Sequence, residues 1–311
     1  MQHSPDSIRA ALLLTNRLVP LEAKPMTARQ FWQLVERVDP GDLLHADVTE
    51  IAELARVEAL EATRLRTLLD AAAALAFEQE RLHDSGVSLV SALSEPFPAV
   101  LRHRLGAVCP PFLLVAGPTD WLHRPGLGVV GSRNANDNAV AVARRSAQLA
   151  VERGWPVVSG LARGVDQIAM AAALDAEGTV VGIPAEGILK ASAKADIRRR
   201  VHNGELCIAS PYAPATPFRA GNAMGRNKVV YALSQVTFVV TSDNGSGGTW
   251  AGATEALDRG YAPVAVWGGN GAKAGNTALI DRGATPITEL SQLFDPGLAT
   301  TNPPPLQNAL F

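Results

Sequence analysis

Between residues 112 and 267 the chain repeats one pattern: a short β-branched or apolar run, a small-residue turn, then a helical periodicity. The runs fall at 112–115, 127–130, 156–159, 180–183, 206–209, 236–241 and 264–267. Helical patterns fit at 139–153, 166–176, 191–202, 227–233 and 249–259. Strands that are apolar throughout are buried on both faces, and a helix between successive strands lets them lie parallel. The expectation is therefore an α/β protein with a mostly parallel, doubly wound sheet. Ligands of such sheets sit beyond the carboxyl ends of the strands.

Four loops fall at those ends. The first follows 127–130 and holds Gly131, Ser132 and Arg133. The second, SGLARGVD, leaves the apolar run WPVV and comprises Ser159, Gly160, Leu161, Ala162, Arg163, Gly164 and then Asp166. The third is GRNK, with Arg226, Asn227 and Lys228, read as the opening of a helix. The fourth, SDNGSGGT, contains Ser246, Gly247, Gly248 and Thr249 ahead of another helix. Glycine lets a ligand approach the backbone, free N–H groups at a helix start hold phosphate oxygens, and arginine adds a planar donor fork. Together these loops predict a concave positive site suited to phosphodiesters. Ser132 and Ser159 read as phosphate donors, because no neighbouring His or Asp pattern would activate a nucleophile. Asp166 reads most simply as a helix cap.

Other chemistries find little support. No GxGxxG follows the first strand, and no GxxxxGK[ST] is present. The six histidines do not cluster at ligand spacing, so neither a metal nor a cofactor is expected. Cys109 and Cys207 stand alone in apolar surroundings and read as buried thiols of a reducing cytoplasm. No apolar run is long enough to cross a membrane, and the first residues lack the order of a signal peptide.

Residues 6–82 read as helical, with runs at 8–18, 28–38 and 57–82, a Thr27/Gln30 capping box and a further start at Thr49. Between residues 41 and 80 lie nine acidic and three basic residues, a net of −6 in a chain of net −2, which leaves +4 for the rest. The expected organisation is a small helical domain over 1–83, an α/β domain over 84–293 and a flexible tail over 294–311. Between Lys190 and Arg200 five residues are basic and one is acidic, either an added phosphate-contacting helix or a solvated face.

The segments VVGSRN, VVSGLARGVDQIAMAAAL, SPYAPATPF, GRNKVVYALS, SGGTWAGATEAL and GNTALIDRGA, in this order, resemble the DNA-processing protein A (DprA/Smf) family. That resemblance covers about residues 84–290. It implies an extended Rossmann-like domain behind a small helical one, and a non-enzymatic role. Members bind single-stranded DNA, commonly form homodimers and help load the RecA recombinase in DNA uptake and recombination. On the family pattern Arg133, Arg163, Arg226 and Lys228 match phosphate-contacting positions. The chain departs from it at Met170, where histidine is usual, in PAEGILKASAKADIRRR, in SGGTWAGATEAL, and in lacking the C-terminal winged helix of many members. The competing readings are a nucleotide-binding sensor and, more distantly, a nucleoside-monophosphate phosphoribohydrolase using Glu255. Trp250 and Tyr212 are the nearby stacking candidates, each also readable as a packing residue.

Overall fold

The computed structural model describes residues 3–299. Five helices come first: α1 (Pro5–Thr15), α2 (Ala28–Val35), α3 (Val48–Ala55), α4 (Ala59–Leu69) and α5 (Ala72–Asp84). Their starts follow local chemistry. Ser4 caps α1, with Pro5 in the first turn, and Thr27 and Gln30 form the expected capping box on α2. The third helix starts at Val48, capped by Asp47, rather than at Thr49, because Asp47 and Glu50 satisfy each other's backbone donors. The long pattern at 57–82 is two helices, broken at Asp70 and Ala71.

The sheet follows. Its strands and helices are β1 (Ser88–Ser91), α6 (Ala99–Leu105), β2 (Phe112–Ala116), β3 (Leu127–Gly131), α7 (Asp137–Glu152), β4 (Val157–Ser159), α8 (Val165–Asp175) and β5 (Val180–Gly182). They continue with α9 (Ile188–Ala191), α10 (Ala195–His202), β6 (Leu206–Ser210), α11 (Ala220–Leu233), β7 (Val236–Thr241), α12 (Gly247–Arg259) and β8 (Val264–Trp267). The last are α13 (Ala274–Asp281), β9 (Thr285–Ile287) and α14 (Pro296–Ala299). The nine strands lie in the order β1-β2-β6-β5-β4-β3-β7-β8-β9. From β6 to β9 every pairing is parallel, while β2 is antiparallel to both β1 and β6. Strands β2 and β4–β7 are buried along their whole length, as uninterrupted apolar runs require.

This order places a switch beside β3. From β3 the chain winds through α7 to β4 on one side, and α11 later returns it to β7 on the other. β3 and β7 stay paired to Gly131 and Thr241, and the connections that leave their carboxyl ends run apart, which leaves a crevice. Asn276 on α13 holds the neighbouring strand ends: its amide donates to Val240 O at 3.0 Å and Trp267 O at 2.9 Å, and its oxygen accepts from Ser242 N at 2.8 Å. Asn276→Ala leaves these buried groups unpaired and should cost about 3 kcal/mol, read by urea denaturation. A loss below about 0.5 kcal/mol would show that water replaces the amide.

One continuous set of buried side chains runs from the first helices into the sheet. Trp32 on α2 donates from Nε1 to Cys109 O at 2.8 Å, and the Arg102 guanidinium lies 4.8 Å from its ring. Cys109 and Cys207 are free and buried, and burial pushes both thiols up to about 12. No helix among the described residues is long and apolar enough to cross a membrane, and no cluster there could hold a metal. Of the segment read as a tail, Phe294 packs edge-on against Trp155 at 5.4 Å, and residues 300–311 lie outside the described residues.

Candidate nucleic-acid interface

The first two loops interlock. A Cβ at Gly131 would meet Val165 Cγ2 at 2.6 Å, so glycine there lets the start of α8 seat against the end of β3. Val165 N donates to Ser132 O at 3.3 Å. Gly164 has φ +85°, and a Cβ on it would strike the carbonyls of Ser132 and Arg133. Leu161 takes φ +57°, costly for a branched side chain. Its side chain lies over Gly182, where a Cβ would meet Leu161 Cδ1 at 2.9 Å. Arg133 and Arg163 project from these loops, exposed. Ser159 does not reach a ligand, since its buried hydroxyl donates to Val129 O at 2.6 Å.

Beneath the turn lies a buried ion pair. Asp166 accepts from Gly160 N at 3.1 Å, and its Oδ2 is 3.6 Å from Arg226 Nη1. Burial raises the carboxyl and lowers the guanidinium, and each is opposed by the other's charge. Gly160 is bare because the guanidinium occupies the space its Cβ would need.

Arg226, expected to contact phosphate, is buried against Asp166 instead of projecting from a loop as Arg133 and Arg163 do. The reading of GRNK as a helix opening is also corrected: α11 begins at Ala220, so Gly225–Lys228 lie in mid-helix with their amides committed to the helix. Residues two apart on a helix point in nearly opposite directions. Arg226 faces the sheet, while Lys228 binds Glu255 on α12 at 3.0 Å. Asn227, between them, donates to Gly248 O at 3.1 Å.

Two cavities open at the carboxyl ends and share Arg133, Ala162 and Arg226 as a wall. The first, about 650 Å³, runs between α8 and the α9–α10 segment. Met170, Leu174 and Ile197 give it an apolar lining, and Arg163, Lys190, Lys194 and Arg200 make its edge basic. The basic segment thus splits: Lys190, Lys194 and Arg200 border the cavity, whereas Arg198 and Arg199 do not. Lys190 is also paired with Glu186, and Arg200 with Glu205. The second cavity, about 600 Å³, is the switch crevice, bordered by Gly131–Asn134, Asn227 and Ser246–Thr249. Gly247, Gly248 and Thr249 form the first turn of α12 rather than a loop before it. Glu255, the residue the phosphoribohydrolase reading would use, lies on the lining of neither cavity, pairs with Lys228 and accepts from Tyr261 OH at 3.2 Å.

Tyr212 is a packing residue: its hydroxyl donates to Asn222 O at 2.6 Å and stands 2.8 Å from where a Cβ on Gly225 would fall. The exposed aromatic at the site is Phe218, 49% exposed, its ring 5.8 Å from the Arg133 guanidinium. Sequence reasoning missed it, although it ends the SPYAPATPF segment.

Residues 88–296 match the family described as DNA recombination-mediator protein A. Among curated relatives, DNA processing protein DprA of Bacillus subtilis (strain 168) is 27% identical over 59% of this chain and 61% of its own length. Protein Smf of Escherichia coli (strain K12) is 30% identical over 50% of this chain and 42% of its own. The matched part is thus under two thirds of either relative. Among solved structures, DNA processing protein A of Streptococcus pneumoniae aligns with TM-score 0.71 at 22% identity, over 94% of this chain and 98% of that one. The Helicobacter pylori protein, described for its single-stranded DNA binding mode, aligns with TM-score 0.55 at 21% identity, over 66% and 93%.

Proposed function

Because the chain belongs to the DNA recombination-mediator protein A family, we propose that it binds single-stranded DNA across the carboxyl ends of β3, β4 and β7. The observation that carries this reading is the pair of exposed arginines, Arg133 and Arg163, on interlocked loops above the two cavities. The strand's phosphates lie against these arginines and the glycine-rich backbone of Gly131–Ser132, Gly160–Gly164 and Ser246–Thr249. Bases rest on the apolar side of the larger cavity and on Phe218. Lys190, Lys194 and Arg200 extend the positive edge along α9 and α10. Such a groove holds a backbone with little sequence preference and strong salt dependence. Toward the internal phosphates of the strand Arg226 and Lys228 act indirectly, the first by supporting the Gly160 turn and the second by fixing α11 to α12. The role is one of binding rather than catalysis, with a RecA-type recombinase and a second copy of this chain as the partners.

Fluorescence anisotropy with labelled single-stranded and duplex oligonucleotides across a salt series tests the proposal. Expected is salt-sensitive binding selective for the single strand. Equal or stronger binding of duplex would sink it. Arg144→Ala, on the exposed face of α7, should leave affinity within about twofold, as for a surface change remote from the contact. A tenfold loss there would move the site to α7.

A further inference from the structure

Two polar side chains lining the switch cavity are buried without hydrogen-bond partners. Arg226 is 5% exposed; its Nη1 makes only the 3.6 Å ion pair with Asp166, longer than a hydrogen bond, and its Nε donates to nothing, while the hydroxyl of Tyr231, 1% exposed, is also without a hydrogen-bond partner. Buried donors left in this state are costly, and a polar ligand is what satisfies them. Above them α12 begins without a side-chain cap from Ser246. Gly247 and Gly248 are exposed, a Cβ on either would meet nothing within 4 Å, and the first amides of a helix have no partner within it. Both carboxylates on the lining are already paired, Asp166 with Arg226 at 3.6 Å and Asp243 with Lys273 at 3.3 Å. Exposed Arg133 stands at the edge. Donors therefore dominate from both floor and rim.

We propose that this cavity takes a terminal phosphomonoester, presented by a nucleoside monophosphate or by the phosphorylated end of a DNA strand. An internal phosphodiester offers two free oxygens and one charge, and its chain must leave in both directions. A monoester offers three free oxygens and close to two charges, and it can end in a crevice floored by Val130, Gly131 and Tyr231. The cavity, about 600 Å³, has room for a whole mononucleotide. The strand-end form rests on the proposed single-strand binding, and the mononucleotide form does not.

The test compares oligonucleotides of one sequence bearing a 5′-phosphate, a 3′-phosphate or hydroxyl ends, with dAMP and dTMP titrated separately by calorimetry. Wild-type protein should bind one phosphorylated end at least about tenfold tighter than the hydroxyl-ended strand, the worth of one charge-assisted hydrogen bond. Alternatively it should bind the mononucleotides saturably; the first outcome identifies strand ends as the source and the second free nucleotides. Gly248→Glu fits the open space and sets a carboxylate among the amides. It should abolish the phosphate effect, measured against the hydroxyl-ended strand with the same variant. Tyr231→Phe should reduce that effect without lowering the melting temperature. If strands bind but neither phosphorylated end nor any mononucleotide adds affinity, the inference falls and strand binding stands. Mononucleotide binding without strand binding would uphold the phosphomonoester site and overturn single-strand binding.

Discussion

Replacing Gly160 with alanine should destabilise the protein by about 3–5 kcal/mol, the cost of breaking a buried ion pair from one side. The methyl group would occupy the position of the Arg226 guanidinium. A flexible arginine in solvent would move aside at little cost. This one is 5% exposed and paired with an equally buried Asp166, so moving it strands the carboxylate. The Gly160 turn also relies on Asp166 through its backbone amide, and the damage reaches the loop that carries Arg163. Urea denaturation measures the loss. If the variant unfolds at the wild-type midpoint, the guanidinium swings freely into one of the cavities and is not a structural pin.

Replacing Arg133 and Arg163 together with alanine should act in the opposite way, on binding and not on stability. Both are exposed, and surface truncations of this kind stay within about 0.5 kcal/mol of wild type. Affinity for a single strand should fall about a hundredfold at moderate salt, about tenfold for each charge-assisted contact. The plot of log affinity against log salt should become shallower by about 1.4, since each single-strand phosphate contact contributes about 0.7. Loss of affinity with an unchanged slope would mean that the arginines shape the loops without touching phosphate. An unchanged affinity would place the strand elsewhere.

The sheet's interior was readable because its strands are apolar throughout and separated by helices, a pattern with few other solutions. Its edges were not. β9 is three residues long, largely exposed and contains Pro286, which an edge strand tolerates and a local pattern does not reveal. The start of α11 was missed because Gly221 and Gly225 lower helix propensity over 219–226. Tertiary contacts decide the matter there, through Tyr212 bonding Asn222 and packing on Gly225. The exposed arginines of the site were legible from their turns. The fate of Arg226 was not, because its partner lies sixty positions earlier and an ion pair across that distance leaves no local signature.

α11 is clasped on both flanks. Tyr212 closes on Gly225 from one side, and Asn227 and Lys228 fasten the other to α12. The consequence is kinetic. A wall held in this way should receive a ligand without rearranging, and association is then expected to be limited by encounter and not by an opening step. Added salt should then slow arrival at the charged rim, while the lifetime of the bound complex reports the contacts within.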